Sequence, residues 1–486
     1  MTGPHGTIPA HFLVIVPGYM GSKLRDRTTG RTVWVDFASI PKNPLQWGAW
    51  LDWLLQAMRY PNPDLEPAGV MDEVVFIPPW AKQEHYSRLI EALGRMGYKA
   101  DEKRHAADER DVYAFAYDWR QDNRISARQL GEAIEGWRVH HPGAEAWIIA
   151  HSNGGLVARW YIEKEGGRDR VGRLFLMGSP WDGVPKAMHM AFSGLDTLFR
   201  RGFNLWNLPQ RSRDLIRTWP SIYQLIPHQE PFLQNTLNQP LDPFRDLNWL
   251  ASDEQRQLLL QGRRFSEELG TTLSVETLCF FGRKKPTTTR GVARLAESVW
   301  SGIDWLATEA GDGTVPEHSA VHPQAHEKLP FVVGHGDIYV NPAVLEFLQW
   351  ELIGKYEPHK RAALTTPELY ILFEPDRDNY TPGEPIALSA QVMGREDQAG
   401  RRRPMERAAI EVHLVWKEPL PGSDLPPARP RAARTELTKT AEPGHYSGQL
   451  RAPRQEGYYD VATTVRVPGQ PAIHLSELIM VEEESQ

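Results

Sequence analysis

A single cysteine, Cys279, stands in a chain of 486 residues, so no internal disulfide framework can hold the fold. Nothing in the chain therefore demands an oxidising compartment. It also lacks any apolar run long enough to cross a bilayer. No Lys or Arg precedes the first short apolar stretch, Phe12 to Val16, and that stretch is too short for the core of a secretion leader. The expectation is a cytoplasmic protein. Positive charge is in deficit: a formal net charge of -7 argues against nucleic acid as the main partner, because phosphate binding needs a positive field. The histidines show neither HExxH nor paired Cys/His spacing, so no metal and no cofactor are expected.

Hydrophobic residues make up 41% and charged ones 24%, the balance of a soluble globular protein, and the length points to two or three domains. The compositional excess is in tryptophan, with 17 in the chain. Many cluster at Trp47, Trp50, Trp53 and Trp80, and again at Trp206, Trp219, Trp300 and Trp305. Such aromatics supply large apolar area, either for a core or for a site that receives something greasy.

The chain is organised around Trp147-Ile-Ile-Ala-His-Ser-Asn-Gly-Gly-Leu-Val-Ala-Arg159. Three apolar residues read as the end of a buried strand, and Leu156, Val157, Trp160 and Tyr161 recur at helical spacing. A strand turning sharply into a helix around a serine is a nucleophile elbow, with small residues required two before and two after the serine. Ala150 and Gly154 meet that need around Ser152. The alternative is that Ser152 caps an ordinary helix. Phe12-Leu-Val-Ile-Val16 suits a central parallel strand, and the loop Pro17-Gly-Tyr-Met-Gly-Ser22 at its end can aim a backbone N–H into a site.

Val16-Pro-Gly-Tyr-Met-Gly-Ser-Lys-Leu24 resembles the first motif of the lecithin:cholesterol acyltransferase and lysosomal phospholipase A2 family. Further matches follow in order. Tyr117-Asp-Trp-Arg120 resembles the family's YDWR, Ala150-His-Ser-Asn-Gly-Gly155 its AHSMGG, and Gly178-Ser-Pro-Trp-Asp-Gly183 its GAPWGG. Trp219 to Pro227 resembles a cap segment and Gly311-Asp-Gly-Thr-Val-Pro316 the acid motif. The resemblance covers residues 12 to 350 and implies an α/β-hydrolase domain over 1–360. It implies a lid at 37–80 without the family's disulfide, and a helical cap at 185–270. Leu45, Trp47, Trp50, Leu51, Trp53, Leu54 and Leu55 make an apolar lid segment that shields acyl chains, touches a lipid surface transiently, or packs into the core.

A serine nucleophile needs a base, and the base a carboxylate. In this fold the order is serine, acid, histidine. Asp312 sits in a tight glycine loop that its neighbours Asp304 and Glu309 lack. His335 follows the strand-like Leu329 to Val333 and precedes a final helix from Asn341 to Trp350, and it is preferred as base to His318. The predicted catalytic set is Ser152, Asp312 and His335. The oxyanion donors are the N–H groups of Asn153 and, by resemblance, Tyr19. Gly18, Met20, Trp47, Trp50 and Trp181 are the candidate substrate-binding residues. His151, Asp118 and Arg120 are read as supporting groups, the last two as an ion pair, and Cys279 as core. Asn153 stands where the family has methionine.

From about Thr365 short runs with Pro/Gly turns take over: Leu369 to Phe373, Ile386 to Val392, Ile410 to Trp416, Tyr446 to Leu450, Tyr458 to Val467 and Leu478 to Val481. They predict an immunoglobulin-like β-sandwich over 365–486, with Pro421 to Arg434 as a mobile hairpin loop. Its role is a stabilising or dimerising appendage, or a docking module whose partner the sequence does not identify. The expected function is a serine acyl hydrolase of the esterase, lipase or phospholipase type, acting on an ester or lipid. An O-acyltransferase using the same acyl-enzyme is the alternative. So is a non-catalytic adaptor binding through the C-terminal sandwich.

Overall fold

The computed structural model describes residues 2–3, 6–7, 9–34, 43, 46–71, 86–100, 110–194, 207–229, 231–296, 299–353, 363–365, 370–377, 379–396, 402–418, 433–468 and 472–482. The chain divides into two compact units, Met1–Leu345 and Glu346–Gln486, with the boundary inside a helix that runs over Pro342–Ile353.

The first unit is built on a seven-stranded sheet. Its strands in chain order are β1 (His11–Val16), β2 (Tyr98–Lys99), β3 (Arg110–Ala114), β4 (Glu145–His151), β5 (Val171–Met177), β6 (Glu276–Gly282) and β7 (Glu327–Phe331). In space the order is β7-β6-β5-β4-β1-β3-β2, and each neighbouring pair is parallel. Both faces of such a sheet are covered, which is why β1 is buried at all six positions and Phe12 to Val16 read as a continuous apolar run. From β1 the chain steps out to one side, then returns past β1 to begin the other half at β4. That reversal opens a crevice beyond the carboxyl ends of β1 and β4, where open α/β sheets bind their ligands.

Helices α1 (Trp47–Ala57), α2 (Ser87–Arg95), α3 (Asn123–Arg138), α4 (Asn153–Lys164), α5 (Pro185–Ser193), α6 (Leu208–Ile216), α7 (Pro220–Gln224) and α8 (Asp253–Leu269) follow in chain order. The Asp122 carboxylate caps α3 through the Arg124 N–H, and the Ser252 hydroxyl caps α8 through the Gln255 N–H. On one sheet face Leu130 and Ile134 of α3 and Leu156 and Val157 of α4 share a core with Val14, Ile148, Leu176 and Cys279. Cys279 is buried and its thiol is pushed up to about 11 by that burial, consistent with a core role.

The region expected to be a helical cap carries α5 to α8, and strands as well. Leu233–Asn235 pairs with Pro240–Leu241 and, in parallel, with Thr287–Ala296. Val299–Thr308 completes this four-stranded sheet. The hairpin 287–308 lies between β6 and β7, outside the stretch where sequence placed the cap. Within the segment expected to be a lid α1 is described, and Leu65–Val70 joins Ser22–Asp26 and Thr32–Trp34 in a three-stranded antiparallel sheet. Leu45, Trp80, Trp206 and most of Pro421 to Arg434 lie outside the described residues.

The second unit is all β. Ten strands run in the order 363–365, 370–375, 385–396, 445–451, 434–439, 409–418, 457–466, 473–481 and 379–380, with 402–404 paired to 385–396. One core is shared by Ile371, Ile386 and Val392 from the first part of this order and Val412, Val461 and Ile479 from the second. The strand Gly457–Arg466 alternates between buried and half-buried along its length, the period-two pattern of a sheet with one face inward.

Candidate active site

Ser152 stands between the last residue of β4 and the first of α4, with φ +51°. That is a region non-glycine residues avoid, and the surrounding bonds hold it there: Ser152 N–H donates to Met177 O at 3.0 Å, and Gly155 N–H to Ser152 O at 3.0 Å. Gly154 explains the small-residue requirement, because a Cβ there would collide with the carbonyl oxygens of Val16 and Pro17. Helix α4 thus starts hard against the end of β1.

His335 Nε2 lies 2.9 Å from Ser152 Oγ, and His335 Nδ1 lies 2.8 Å from Asp312 Oδ2. Asp312 is buried, and its other oxygen accepts the N–H groups of Thr314 at 2.9 Å and Val315 at 2.7 Å. His335 N–H donates back to Asp312 O at 2.8 Å. A carboxylate only accepts, so Nδ1 carries its proton toward Asp312 and Nε2 is left to accept from Ser152. Gly178, at φ +58°, makes room for this pairing: a Cβ there would sit 3.1 Å from Asp312 Oδ2 and 3.2 Å from His335 Nδ1. Sequence reading missed that role, because it placed Gly178 only within a motif.

The other histidines go elsewhere. His318 is exposed, and its carbonyl accepts the Trp181 indole N–H at 3.0 Å. His322 is fully buried and its Nδ1 accepts the Gln324 N–H. His151, also buried, has Nε2 3.0 Å from His335 O and Nδ1 3.1 Å from the Tyr86 hydroxyl.

Gly18 to Gly21 form a turn closed by Gly21 N–H to Gly18 O at 3.0 Å, with Met20 at φ +66°. Met20 O accepts the Trp34 indole N–H at 3.2 Å. Among the described residues no acceptor is bonded to the N–H of Tyr19 or of Asn153. The Asn153 side chain, in place of the family's methionine, is buried in a reciprocal amide pair with Asn123, 3.0 Å in each direction. Trp181 is half-buried, with its N–H on Ser319 O and its ring 5.8 Å from His322. Trp47 and Trp50 lie on α1, which has no fully buried residue, and Trp47 is 38% exposed.

Asp118 and Arg120 pair at 2.8 Å, and the guanidinium also donates to Met58 O and Arg59 O, fastening the end of α1. Lys186, at the start of α5, donates to Thr314 Oγ1 at 3.3 Å, and burial lowers its ammonium to about 8. Among the described residues no group of three or more His, Cys, Asp or Glu is placed to hold a metal ion.

Residues 68–261 match the lecithin:cholesterol acyltransferase family. A search of curated proteins finds no match. Among solved structures the chain is similar to one in the Tle4-Tli4 complex, at 13% identity and a TM-score of 0.50, covering 71% of this chain and 98% of that one. It is also similar to the Bacillus licheniformis lipase BlEst2 in mature form, at 12% identity, with 69% and 89% covered and a TM-score of 0.31. A third is the lin2722 product of Listeria innocua, at 14% identity, with 72% and 96% covered and a TM-score of 0.29. The parallel sheet and the strand-turn-helix at Ser152 are those of an α/β-hydrolase-like fold, and over residues 68–261 the chain is similar to the lecithin:cholesterol acyltransferase family.

Proposed function

We propose that this protein is a serine acyl hydrolase that cleaves carboxylic esters with a greasy acyl part through an acyl-enzyme. The observation that carries the reading is the unbroken line of short contacts from Ser152 Oγ through His335 to Asp312. His335 Nε2 takes the Ser152 proton as Oγ attacks the ester carbonyl. Asp312 holds the ring tautomer and stabilises the imidazolium that forms. The carbonyl oxygen gains charge and is met by the N–H groups of Tyr19 and Asn153; losing one such donor costs about 3 kcal/mol of transition-state stabilisation. His335 returns its proton to the leaving alcohol, and water activated by the same ring releases the acid.

Transfer to an alcohol in place of water is the second reading, favoured by the acyltransferase family match. In this proposal α1 belongs to a lid over residues 37–80, and the cap spans 185–270. Trp47 and Trp53, 38% and 37% exposed on α1, meet the acyl chain or a lipid surface, and Gly18, Met20, Trp50 and Trp181 line the approach to Ser152. No helix among the described residues is long and apolar enough to cross a membrane. The hydrolase domain is taken to span 1–360 and an immunoglobulin-like sandwich 365–486.

Turnover of p-nitrophenyl esters of increasing chain length, by wild type and by Ser152→Ala, tests this. The reading expects turnover with an optimum at medium or long chains, lost in the variant. Turnover that survives in Ser152→Ala sinks it. Added alcohol separates the two outcomes of the acyl-enzyme, because transesterified product appears only if alcohol competes with water.

A further inference from the structure

The residues on either side of the nucleophile, His151 and Asn153, each lead through a tyrosine hydroxyl to one end of the same peptide plane. Tyr117 donates its hydroxyl proton to Pro17 O at 2.9 Å, and Asn153 Nδ2 donates to that hydroxyl at 3.1 Å. The Gly18 N–H donates to the Tyr86 hydroxyl at 2.8 Å. Pro17 O and Gly18 N–H are the two polar ends of the Pro17–Gly18 peptide, and the next peptide carries the Tyr19 N–H.

The direction of each bond follows from its neighbours. His335 O can only accept, so His151 Nε2 carries the ring proton and donates it there at 3.0 Å. His151 Nδ1 is then left to accept the Tyr86 hydroxyl proton, 3.1 Å away, while the Tyr86 oxygen accepts from Gly18. On the other side Asn153 Nδ2 spends one proton on Tyr117 and the other on Asn123 Oδ1, and the Asn153 oxygen accepts from Asn123. The Asn123 N–H is anchored in turn on Gln224 Oε1 of α7 at 2.9 Å. Tyr86, Tyr117, His151, Asn123 and Asn153 are all at most 1% exposed, so these bonds are screened from bulk solvent. A methionine at 153 would have no donor to offer Tyr117.

We propose that Tyr86 and Tyr117 are positioning residues that clamp both ends of the Pro17–Gly18 peptide and so aim the Tyr19 N–H at the oxyanion. Through His151 and Asn153 the clamp is keyed to the nucleophile elbow and to the backbone of His335. The proposal rests on the reading of Ser152 as nucleophile. A peptide held at one end still pivots; held at both, its rotation is closed off. An oxyanion donor must be oriented before the charge develops, because reorganisation during the reaction forfeits its benefit. The clamp acts on the transition state and leaves ground-state binding of the ester alone.

The test compares Tyr86→Phe, Tyr117→Phe and the double variant in full-length protein. It measures ester turnover, the inhibition constant of an alkyl boronic acid, and the rate of labelling by a fluorophosphonate. Each single variant is expected to lower kcat about tenfold to a hundredfold with KM changed less than threefold. The boronate, whose tetrahedral adduct places an oxygen in the hole, weakens in parallel with kcat. The double variant loses less than the product of the two singles, because one free end already lets the peptide turn. Asn153→Met is expected to reproduce the Tyr117→Phe phenotype. Unchanged kcat in both single variants overturns the clamp, as do losses confined to KM or to the thermal midpoint. Wild type that resists the fluorophosphonate overturns the nucleophile reading itself; wild type that is labelled, with both variants labelled equally fast, overturns the clamp alone.

Discussion

At Ser152 the backbone sits at φ +51°, ψ −127°, a conformation open to glycine and closed to most residues with a Cβ. Positions of this kind store about 1–3 kcal/mol, which glycine does not incur. Ser152→Gly is therefore expected to unfold at a higher temperature than Ser152→Ala, by about 1 kcal/mol, with both inactive. Equal thermal midpoints would mean that the turn is unstrained. His322 makes a second residue-level prediction. Burial, with Arg159 and Lys328 adding to it, lowers its ring to about 3 in the folded protein, against 6.5 when free. Between those values the unfolded chain binds the proton and the folded one does not, so stability is complete above 6.5 and falls as pH drops through the window. His322→Gln removes this term. Between pH 7 and pH 4.5 the variant should lose about 2–3 kcal/mol less than wild type in denaturant titrations; identical losses contradict it. Ser152, Asp312 and His335 were legible because each sits in a local pattern of strand, loop and glycine. Tyr86 and Tyr117 were not, since their partners Gly18 and Pro17 lie 68 and 100 residues away and no local spacing marks a hydroxyl's target.

Among the elements, the segment that follows α7 is tied to the loop after β5 by Asp182, which stands where the resembled motif has glycine. Its Oδ1 accepts the N–H groups of His228 at 3.2 Å and Gln229 at 3.0 Å, and lies 3.0 Å from His228 Nδ1. Burial pushes this carboxyl up, but the His228 ring and those N–H groups outweigh it and hold the group below the usual carboxylate range. Asp182→Gly strands these donors and is expected to cost about 3 kcal/mol, with faster proteolysis around residue 228 in native protein. Unaltered proteolysis there would remove Asp182 as an anchor. The central parallel strands β1, β4, β5 and β6 were readable as apolar runs because both their faces are covered. The hairpin 287–308 was not. Its strands are only half exposed and mix buried with exposed positions irregularly, with register breaks between Thr288 and Arg290 and between Arg294 and Leu295, and so show neither an apolar run nor a clean alternation. In the second unit the long strands appeared as short runs, whereas 363–365, 379–380 and 402–404 are too brief to carry a period.

Over the whole molecule, every residue of the candidate site falls within Met1–Leu345, and the Glu346–Gln486 unit has a core of its own. A chain ending at Ile353 is accordingly expected to turn over soluble p-nitrophenyl esters within about threefold of the full-length rate. A shortened chain that is folded by circular dichroism yet inactive would assign the second unit a part in catalysis. The central claim is more local, that Ser152 is a nucleophile activated by His335 and Asp312. Its most direct test is reaction with a fluorophosphonate, followed by mass spectrometry of the peptide that carries the adduct. The account predicts one adduct per chain, on Ser152, formed with loss of ester turnover and absent from Ser152→Ala. An adduct on another residue, or turnover that persists in fully labelled protein, would contradict it.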